Sequence, residues 1–366
     1  MKYYSLTNIL KKHCRYNIVF GERSNGKTYS VLEYAVKKYF KTGKQIAVVR
    51  RWREDFRGKR GAAYFDNLVY NGEQVNRIKE LSNGKYDHVV YTSGKWYMSY
   101  YDSEIEKNIL APEPFAFAFA LTEMEHEKGN SYPLVDTVLF DEFMSRGMYV
   151  PDEFVLFMNT LSTIIRHRDN VTVFMCANTV DMIGCPYFKE MGLKHVKDMK
   201  KGDIDVYTYG DTGLRVAVEY SDSPNANKPS DVYFAFDNQK LKMVTTGEWE
   251  LDFYPHMTKT IDRKEIIFSY FIIYEEDTLQ ADIVVRQNES FTFIHPKTTP
   301  IKYEDKDIIF TTDANTQMNY MGRLTKPINK ASRKLFWYFA ANKVFYSDNE
   351  VGEIVAHYLN WCNTMK

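Results

Sequence analysis

Apolar residues in the first 220 positions fall in short unbroken blocks and do not alternate with polar ones. Asn17–Phe20 (NIVF), Gln45–Arg50 (QIAVVR), Phe115–Leu121, Thr137–Phe140 (TVLF) and Val171–Ala177 (VTVFMCA) each read as a strand buried on both faces. Thr28–Phe40 places apolar residues near i, i+3, i+4 and i+7 with basic residues toward its end, which predicts a helix. Asp152–Arg166 has the same periodicity. Tyr86–Tyr91 and Lys95–Tyr101 flank Ser93-Gly94 and predict a hairpin. Buried strands separated by helices predict an α/β domain with a mostly parallel sheet covered on both faces.

The texture changes after about residue 220. Ser221–Ser230 (SDSPNANKPS) carries two prolines and no large apolar side chain, so it reads as a linker. Glu265–Tyr274, Ala281–Arg286, Ser290–Ile294 and Asp307–Thr311 then suggest an antiparallel meander, followed by helices around Lys330–Ala341 and Asn349–Cys362. The expected organisation is a domain over 1–220, a linker region over 221–258 and a smaller α+β domain over 259–366.

A length of 366 residues agrees with two domains, and 44% apolar with 26% charged residues excludes wholesale disorder. Lys plus Arg and Asp plus Glu both number 48, a balance that names no partner. The distribution is more informative: residues 1–60 hold 16 Lys/Arg against 4 Asp/Glu, a candidate surface for polyphosphate or nucleic acid. Cys14, Cys176, Cys185 and Cys362 form no CxxC pair and read as reduced thiols. The N-terminal MKYYSLTNILKK lacks the apolar core of a signal peptide, and the longest greasy stretches fall far short of the roughly 20 residues that span a bilayer. A soluble intracellular protein without membrane contact is expected.

Gly21-Glu22-Arg23-Ser24-Asn25-Gly26-Lys27-Thr28 fits GxxxxGK[ST] in full, between a predicted strand and a predicted helix. Glycines let backbone N–H groups turn inward around a phosphate, and the helix N-terminus adds the positive end of its dipole. Lys27 is then expected to bridge the β- and γ-phosphates of ATP, with the Thr28 hydroxyl on Mg²⁺. Val138-Leu139-Phe140-Asp141-Glu142 has the form of a Walker B strand. Two adjacent carboxylates at a strand end are costly unless a cation or substrate uses them. Asp141 is expected to hold Mg²⁺ through water and Glu142 to polarise the attacking water, which points to hydrolysis and away from transfer to an acceptor.

Asn178 follows the strand Val171–Ala177 and either contacts the γ-phosphate or attacking water, or simply caps the strand end. Arginines able to neutralise transition-state charge are Arg23 in the loop, Arg50, Arg51 and Arg53 after the second strand, Arg146 past Walker B, and Arg166 and Arg168 at the end of a helix.

The combination GERSNGKT, QIAVVRRW, VDTVLFDEF, IIRHRDN, CANT and CPYF resembles the DNA-encapsidation ATPases of small short-tailed bacteriophages, which are terminase-like packaging motors. The resemblance covers most of residues 1–220 and thins out beyond 230. It implies an additional-strand, conserved-glutamate (ASCE) P-loop fold and a homo-oligomeric ring, usually of five subunits. Such a ring docks at the portal, or connector, of an empty prohead in the host cytoplasm and pumps double-stranded DNA by ATP hydrolysis, in some members on a prohead RNA. Lys27 and Thr28 match the family's Walker A residues, Asp141 and Glu142 its Walker B, and Asn178 its coupling motif. Arg23 matches the extra loop arginine. Arg166, with Arg168 beside it, sits where the family places its trans-acting finger, and Arg146 is a rival.

The same resemblance implies an RNase H-type fold for the C-terminal domain. Active nucleases of that type cluster carboxylates on adjacent strands around two metals. Here EIIFSYFIIYEED has no central acid, ADIVVRQ offers only Asp282, Glu275-Glu276-Asp277 fall in a turn, and Asp313 stands alone. A degenerate nuclease retained for binding is the expectation.

Overall fold

A computed structural model of the protein describes residues 3–70, 75–127, 129–145, 149–179, 185–222, 254–257, 261–287 and 289–364. The chain divides into two compact units, residues 1–250 and 251–366. Most of the expected linker over 221–258 lies outside the described residues.

The strands of the first unit are β1 (Tyr16–Gly21), β2 (Gln45–Arg50), β3 (His88–Thr92), β4 (Lys95–Asp102), β5 (Lys107–Leu110), β6 (Ala116–Ala120), β7 (Val135–Asp141), β8 (Thr172–Asn178), β9 (Ile204–Tyr209) and β10 (Leu214–Ser221). They form one sheet in the order β3-β4-β6-β2-β7-β8-β1-β10-β9, with β5 pairing the second half of β4 beyond its short contact with β6. The run β6-β2-β7-β8-β1-β10 is parallel throughout, while β4 and β9 join its flanks antiparallel. The fold is therefore mixed α/β with a mostly parallel sheet.

Side chains alternate between two cores. Ile18 and Phe20 of β1 join Phe157, Leu161 and Ile164 of helix α2 (Glu153–Ile165), after α1 (Lys27–Thr42) has covered the other face with Val31, Leu32 and Val36 against Val19. Burial of each such side chain contributes about 1.5–3 kcal/mol, which is why these blocks show no alternation in the sequence. Parallel pairing has a second consequence: Gly21, Arg50, Asp141 and Asn178 all arrive at the same edge of the sheet, where open α/β sheets bind ligands.

The strands β5, β9 and β10 were not anticipated from the pattern. β9 is half-buried along most of its length, as an edge strand is, and gives no apolar block. Yet β10 lies directly against β1 and ends at Ser221, beside the phosphate loop.

The second unit holds β11 (Ile266–Tyr274), β12 (Asp277–Arg286), β13 (Glu289–Pro296), β14 (Ile309–Thr311), β15 (Tyr320–Met321) and β16 (Val344–Tyr346), ordered β15-β14-β11-β12-β13-β16. Helices α3 (Lys330–Ala340) and α4 (Asn349–Thr364) follow the expected pair. The meander is antiparallel only through β11-β12-β13; β14 pairs parallel with β11, because residues 297–308 carry the chain back along the sheet before it re-enters. Glu275 and Glu276 form the exposed β11–β12 turn as expected. His256 bridges Tyr346, so residues just before 259 pair with this unit. Among the described residues no helix is long and apolar enough to cross a membrane, and the four cysteines are buried and form no disulfide.

One buried ion pair ties the sheet to α2. Arg51 donates to both oxygens of Glu153, at 2.6 and 2.7 Å, and Glu153 also accepts from Tyr187 Oη at 2.8 Å and from the Val150 N–H at 2.8 Å. Removing one partner of such a pair leaves an uncompensated buried charge. We expect Arg51→Met to cost about 3–5 kcal/mol in urea unfolding, and the paired Arg51→Met, Glu153→Leu variant to cost clearly less. Equal losses in the two variants would show that packing, not charge, carries the contact.

Candidate functional site

The phosphate loop leaves β1 through two residues that the backbone geometry dictates. Gly21 has φ +152, and a Cβ on it would lie 2.2 Å from Ser221 Oγ; Gly26 has φ +93 at the start of α1. Ser221 Oγ donates to the Phe20 carbonyl at 3.0 Å and accepts from Asn25 Nδ2 at 2.9 Å, so β10 braces the loop from the side. The N-terminal segment braces it from outside: the Tyr4 N–H donates to Asn25 O at 2.9 Å, and Tyr4 Oη to Glu219 at 2.7 Å. Buried Glu22 pairs with Lys201 at 2.6 Å, while Arg23 and Ser24 are exposed.

Lys27 is folded onto its own loop, donating to Glu22 O at 2.5 Å, Asn25 Oδ1 at 3.1 Å and Gly21 O at 3.2 Å. Burial pushes its amine down to about 8, against the opposing pull of Cys176, Asp141 and Glu22. A cavity of about 620 Å³ opens above the loop, lined by Ser24, Asn25, Gly26, Lys27 and Thr28, by Tyr3 and Tyr29, by Glu33, Arg77 and Glu80, and by Asn178. Asn178 stands opposite Gly21 in the β1–β8 register, and the next N–H, of Thr179, donates to Gly21 O at 2.9 Å.

At the end of β7, Asp141 is almost fully buried and collects three partners. Thr28 Oγ1 donates to it at 2.7 Å, Tyr64 Oη at 2.9 Å and Arg50 Nη1 at 3.0 Å. Arg50 also grips Glu142 at 2.7 Å through Nη2, so one guanidinium spans both acids. Burial works against the Arg50 charge, but Asp141 and Glu142 outweigh it and its pKa moves up. The Tyr64 hydroxyl is pushed well up by burial and then by Asp141, so it stays a neutral donor. Glu142 has φ +58, a conformation unfavourable for its side chain, and the backbone is held there from two sides. Its N–H donates to Cys176 O at 2.7 Å, and its carbonyl accepts from Arg51 Nη1 at 3.2 Å. Thr28 and Asp141 together offer hard oxygen ligands of the kind Mg²⁺ prefers.

The remaining arginines divide sharply. Arg166 and Arg168 precede β8 and so sit at the edge of the sheet opposite the loop, about six strand residues or roughly 20 Å away. Arg168 donates to the carbonyls of Tyr132, Pro133, Val135, Ile164 and Ile165, fastening the end of α2 to the chain entering β7. Arg166, at φ +51 on the helix end, is exposed and donates to Asn130 O at 2.6 Å. Arg146 lies outside the described residues. Sequence reasoning notes Arg50 only as one arginine among several, gives Tyr64 no role, and assigns Ser221 to the linker, whereas Ser221 ends β10 and hydrogen-bonds the loop.

In the second unit, Asp282 is buried and committed locally, accepting from Ser269 Oγ at 2.6 Å and Gln280 Nε2 at 2.9 Å and pairing with His295 at 3.2 Å. Asp313 is on a different segment beyond β14. Among the described residues no group of three or more His, Cys, Asp or Glu side chains is arranged to hold a metal ion.

A family model described as podovirus DNA encapsidation protein (Gp16) matches residues 1–96 and 105–363, and the chain belongs to that family. It is 29% identical over 188 residues to a DNA packaging protein of Bacillus phage B103, and 27% identical over 188 residues to one of Bacillus phage phi29. These alignments cover 50% of this chain and 50% and 48% of the relatives, so the chain spans about half the length of the curated relatives it matches. Its fold is similar to that of a chain in the bacteriophage phi-29 genome packaging motor assembly, with TM-score 0.57 and 21% identity over 97% of this chain and 98% of that one. A phi-28 gp11 DNA packaging motor chain gives TM-score 0.51 and 17% identity over 100% and 98%.

The Lys27 environment makes a prediction about pH. Its folded value of about 8 lies below the ordinary 10.5, so the folded protein holds fewer protons between those values and this group's contribution to stability rises with pH across that window. Phosphate binding needs the protonated amine. The affinity for a fluorescent ATP analogue should therefore fall as pH passes from about 7 to 9.5, and Lys27→Ala should bind weakly with no such dependence. A flat profile in the parent protein would remove Lys27 from phosphate binding.

Proposed function

We propose that this chain is an ATP-hydrolysing motor that translocates double-stranded viral DNA into a preformed prohead. The observation that carries the reading is the hydrogen bond between Thr28 and Asp141, in which a phosphate-loop hydroxyl meets a strand-end carboxylate 113 positions away. Assignment to the ASCE class of P-loop ATPases is supported by β8, which stands between the loop strand β1 and the acid strand β7, and by the second acid, Glu142.

In this reading ATP lies in the cavity above the loop with its phosphates against residues Gly21–Thr28. Thr28 and Asp141 would hold Mg²⁺, which would supply charge screening for the phosphate oxygens. Lys27 exchanges the loop carbonyls for those oxygens. Glu142, whose carboxylate is exposed apart from Arg50, orients the attacking water once it turns from that guanidinium, so Arg50 governs when the base is available. Asn178, beside Gly21, senses the γ-phosphate, and Arg23 is the extra loop arginine of the family.

The transition-state arginine comes from an adjacent subunit of a homo-oligomeric ring, usually of five members in this family. Arg166 is the first candidate because Arg168 is occupied by backbone carbonyls; Arg146 is the alternative. The ring docks at the portal, or connector, of the prohead in the host cytoplasm, with a prohead RNA as a further partner. Residues 1–220 form the ATPase domain, 221–258 the connecting region and 259–366 a nuclease-like domain. The antiparallel β11-β12-β13 with β14 parallel on β11 supports the RNase H-type assignment of that domain. The local bonds of Asp282 favour a degenerate form retained for binding over a packaging terminase with an active nuclease. A nucleotide-regulated assembly protein at the portal is the second reading, favoured by the grip of Arg50 on both acids.

Steady-state ATP turnover by the purified protein, measured with and without double-stranded DNA and proheads, tests the motor. Turnover stimulated by both is expected; nucleotide binding without turnover under every condition would support the assembly reading. Glu142→Gln should keep ATP bound while hydrolysis stalls, since the amide preserves shape and loses the orienting charge. Normal turnover in that variant would place the base elsewhere.

The trans arrangement has its own test. Arg166→Ala should lose stimulated hydrolysis by roughly 10³-fold or more while still binding ATP. Mixing it with Lys27→Ala subunits should restore part of the activity, because a mixed interface pairs an intact arginine with an intact loop. Absence of rescue in assembled mixtures would rule out Arg166 as the trans group. For the second domain, the whole protein incubated with plasmid DNA and Mn²⁺ should not cut. Cleavage abolished by Asp282→Asn would reverse that assignment.

A further inference from the structure

The edge of the first sheet opposite the phosphate loop carries a second concentration of positive charge. A groove of about 520 Å³ lies there between the N-terminal ends of β1 and β10, lined by His13, Arg15, Asp169 and Arg215 among others. Arg15 and Arg215 are neighbours across the parallel pair, since the Arg15 N–H donates to Arg215 O at 3.1 Å and the next residues, Tyr16 and Val216, are in register. Arg15 O in turn accepts from the Val173 N–H at 2.9 Å, so the strand end is anchored on both sides. Neither guanidinium has an ion-pair partner among the described residues, and Asp169 is the one acid in the lining. Lys12 adds to the same field: it and Arg215 both pull on the Cys14 thiol, although burial still raises that group overall.

Like charges held side by side on neighbouring strands are destabilising unless an anion lies between them. The groove is far larger than one phosphate group, and beside the paired guanidinia it holds His13, with Lys12 close to Cys14. That pattern fits an extended polyanion better than a small one.

We propose that this groove is a second anion site, distinct from the ATP site, in which Arg15 and Arg215 bind the phosphodiester backbone of a nucleic acid. The inference rests on the reading of the chain as a DNA-handling ATPase only for the identity of the polyanion. It places nucleic-acid contact about 20 Å from the phosphate loop, at the other end of β1. A strand anchored by backbone bonds at both ends then joins the two phosphate-binding ends of the domain.

The test uses the full chain with Arg15→Gln and Arg215→Gln combined, and the matching double Lys variant as the charge-preserving control. Binding of a fluorescent DNA duplex and of a fluorescent RNA duplex is followed by anisotropy as salt is raised from about 50 to 200 mM. The Gln variant should bind at least about ten-fold more weakly and shorten the log–log salt slope by about two, with the Lys variant close to the parent and basal ATP hydrolysis unchanged in both. The nucleic acid whose binding is lost, DNA or RNA, identifies the source of the backbone. Unchanged affinity and slope for both duplexes would overturn the site while leaving the ATPase reading intact. A parent protein that binds neither duplex would overturn both. Binding of tripolyphosphate but of neither duplex would assign the groove to a small anion and end the proposal.

Discussion

Two carboxylates in sequence at the end of a buried strand set the terms for the rest of the first unit. Asp141 is withdrawn from water on β7 and Glu142 follows at once, so the chain must bring counter-charge to that point. The β2 strand, parallel to β7 and in register with it, supplies this through its last residue and the one after. Arg50 reads the two carboxylates, and Arg51 reads the carbonyls of Glu142 and Phe143 while anchoring to Glu153. Side chains alternate along an extended strand, so adjacent arginines point to different tasks. One neutralises the acids and the other fixes the backbone that presents them.

This arrangement makes the site sensitive to an incoming anion. Lys27 is desolvated and bonded to neutral carbonyls, a weaker set of partners than phosphate oxygens, so its charge is poised to be satisfied by a ligand. Glu142 is held in a left-handed conformation by bonds to Cys176 and Arg51 from two different elements, and its orientation is thus fixed by the sheet and not by its own preference. The acid's side chain remains accessible even while its backbone is rigid. The base role proposed for Glu142 needs both properties.

Much of this was legible in the sequence, and the division has a physical reason. The loop and the Asp141-Glu142 pair were readable because each depends on local rules: a glycine where φ is positive, an apolar run that must be a strand, an acid where that run meets solvent. Strand order is not local. Nothing in QIAVVRRW states that β2 will lie beside β7, so the role of Arg50 could not be separated from that of Arg53 or Arg23. Tyr64 lies on a short irregular stretch with no periodicity to place it, and Ser221 ends a strand that the pattern concealed. Arg168 shows the converse. Its position suggested chemistry, whereas the end of α2 and the bend into β7 gather several carbonyls at one point, and a guanidinium with five donors is suited to collect them.

The polarity of the parallel sheet limits what any arginine can do for its own subunit. The C-terminal ends of the parallel strands β1, β2, β7 and β8 lie at the phosphate-loop edge, and the connections that enter these strands stand a strand length away. Arg166 enters β8 from that far edge, so it cannot reach the loop of its own chain without dismantling α2. Arg50 is already at the loop's edge and needs no partner chain. A transition-state charge supplied by Arg166 therefore requires a second subunit, whereas control of Glu142 by Arg50 is complete within one. Under the proposed mechanism, hydrolysis divided in this way would have an internal restraint and an external trigger. Neither would substitute for the other, because Arg50 and Arg166 stand at opposite edges of the same sheet.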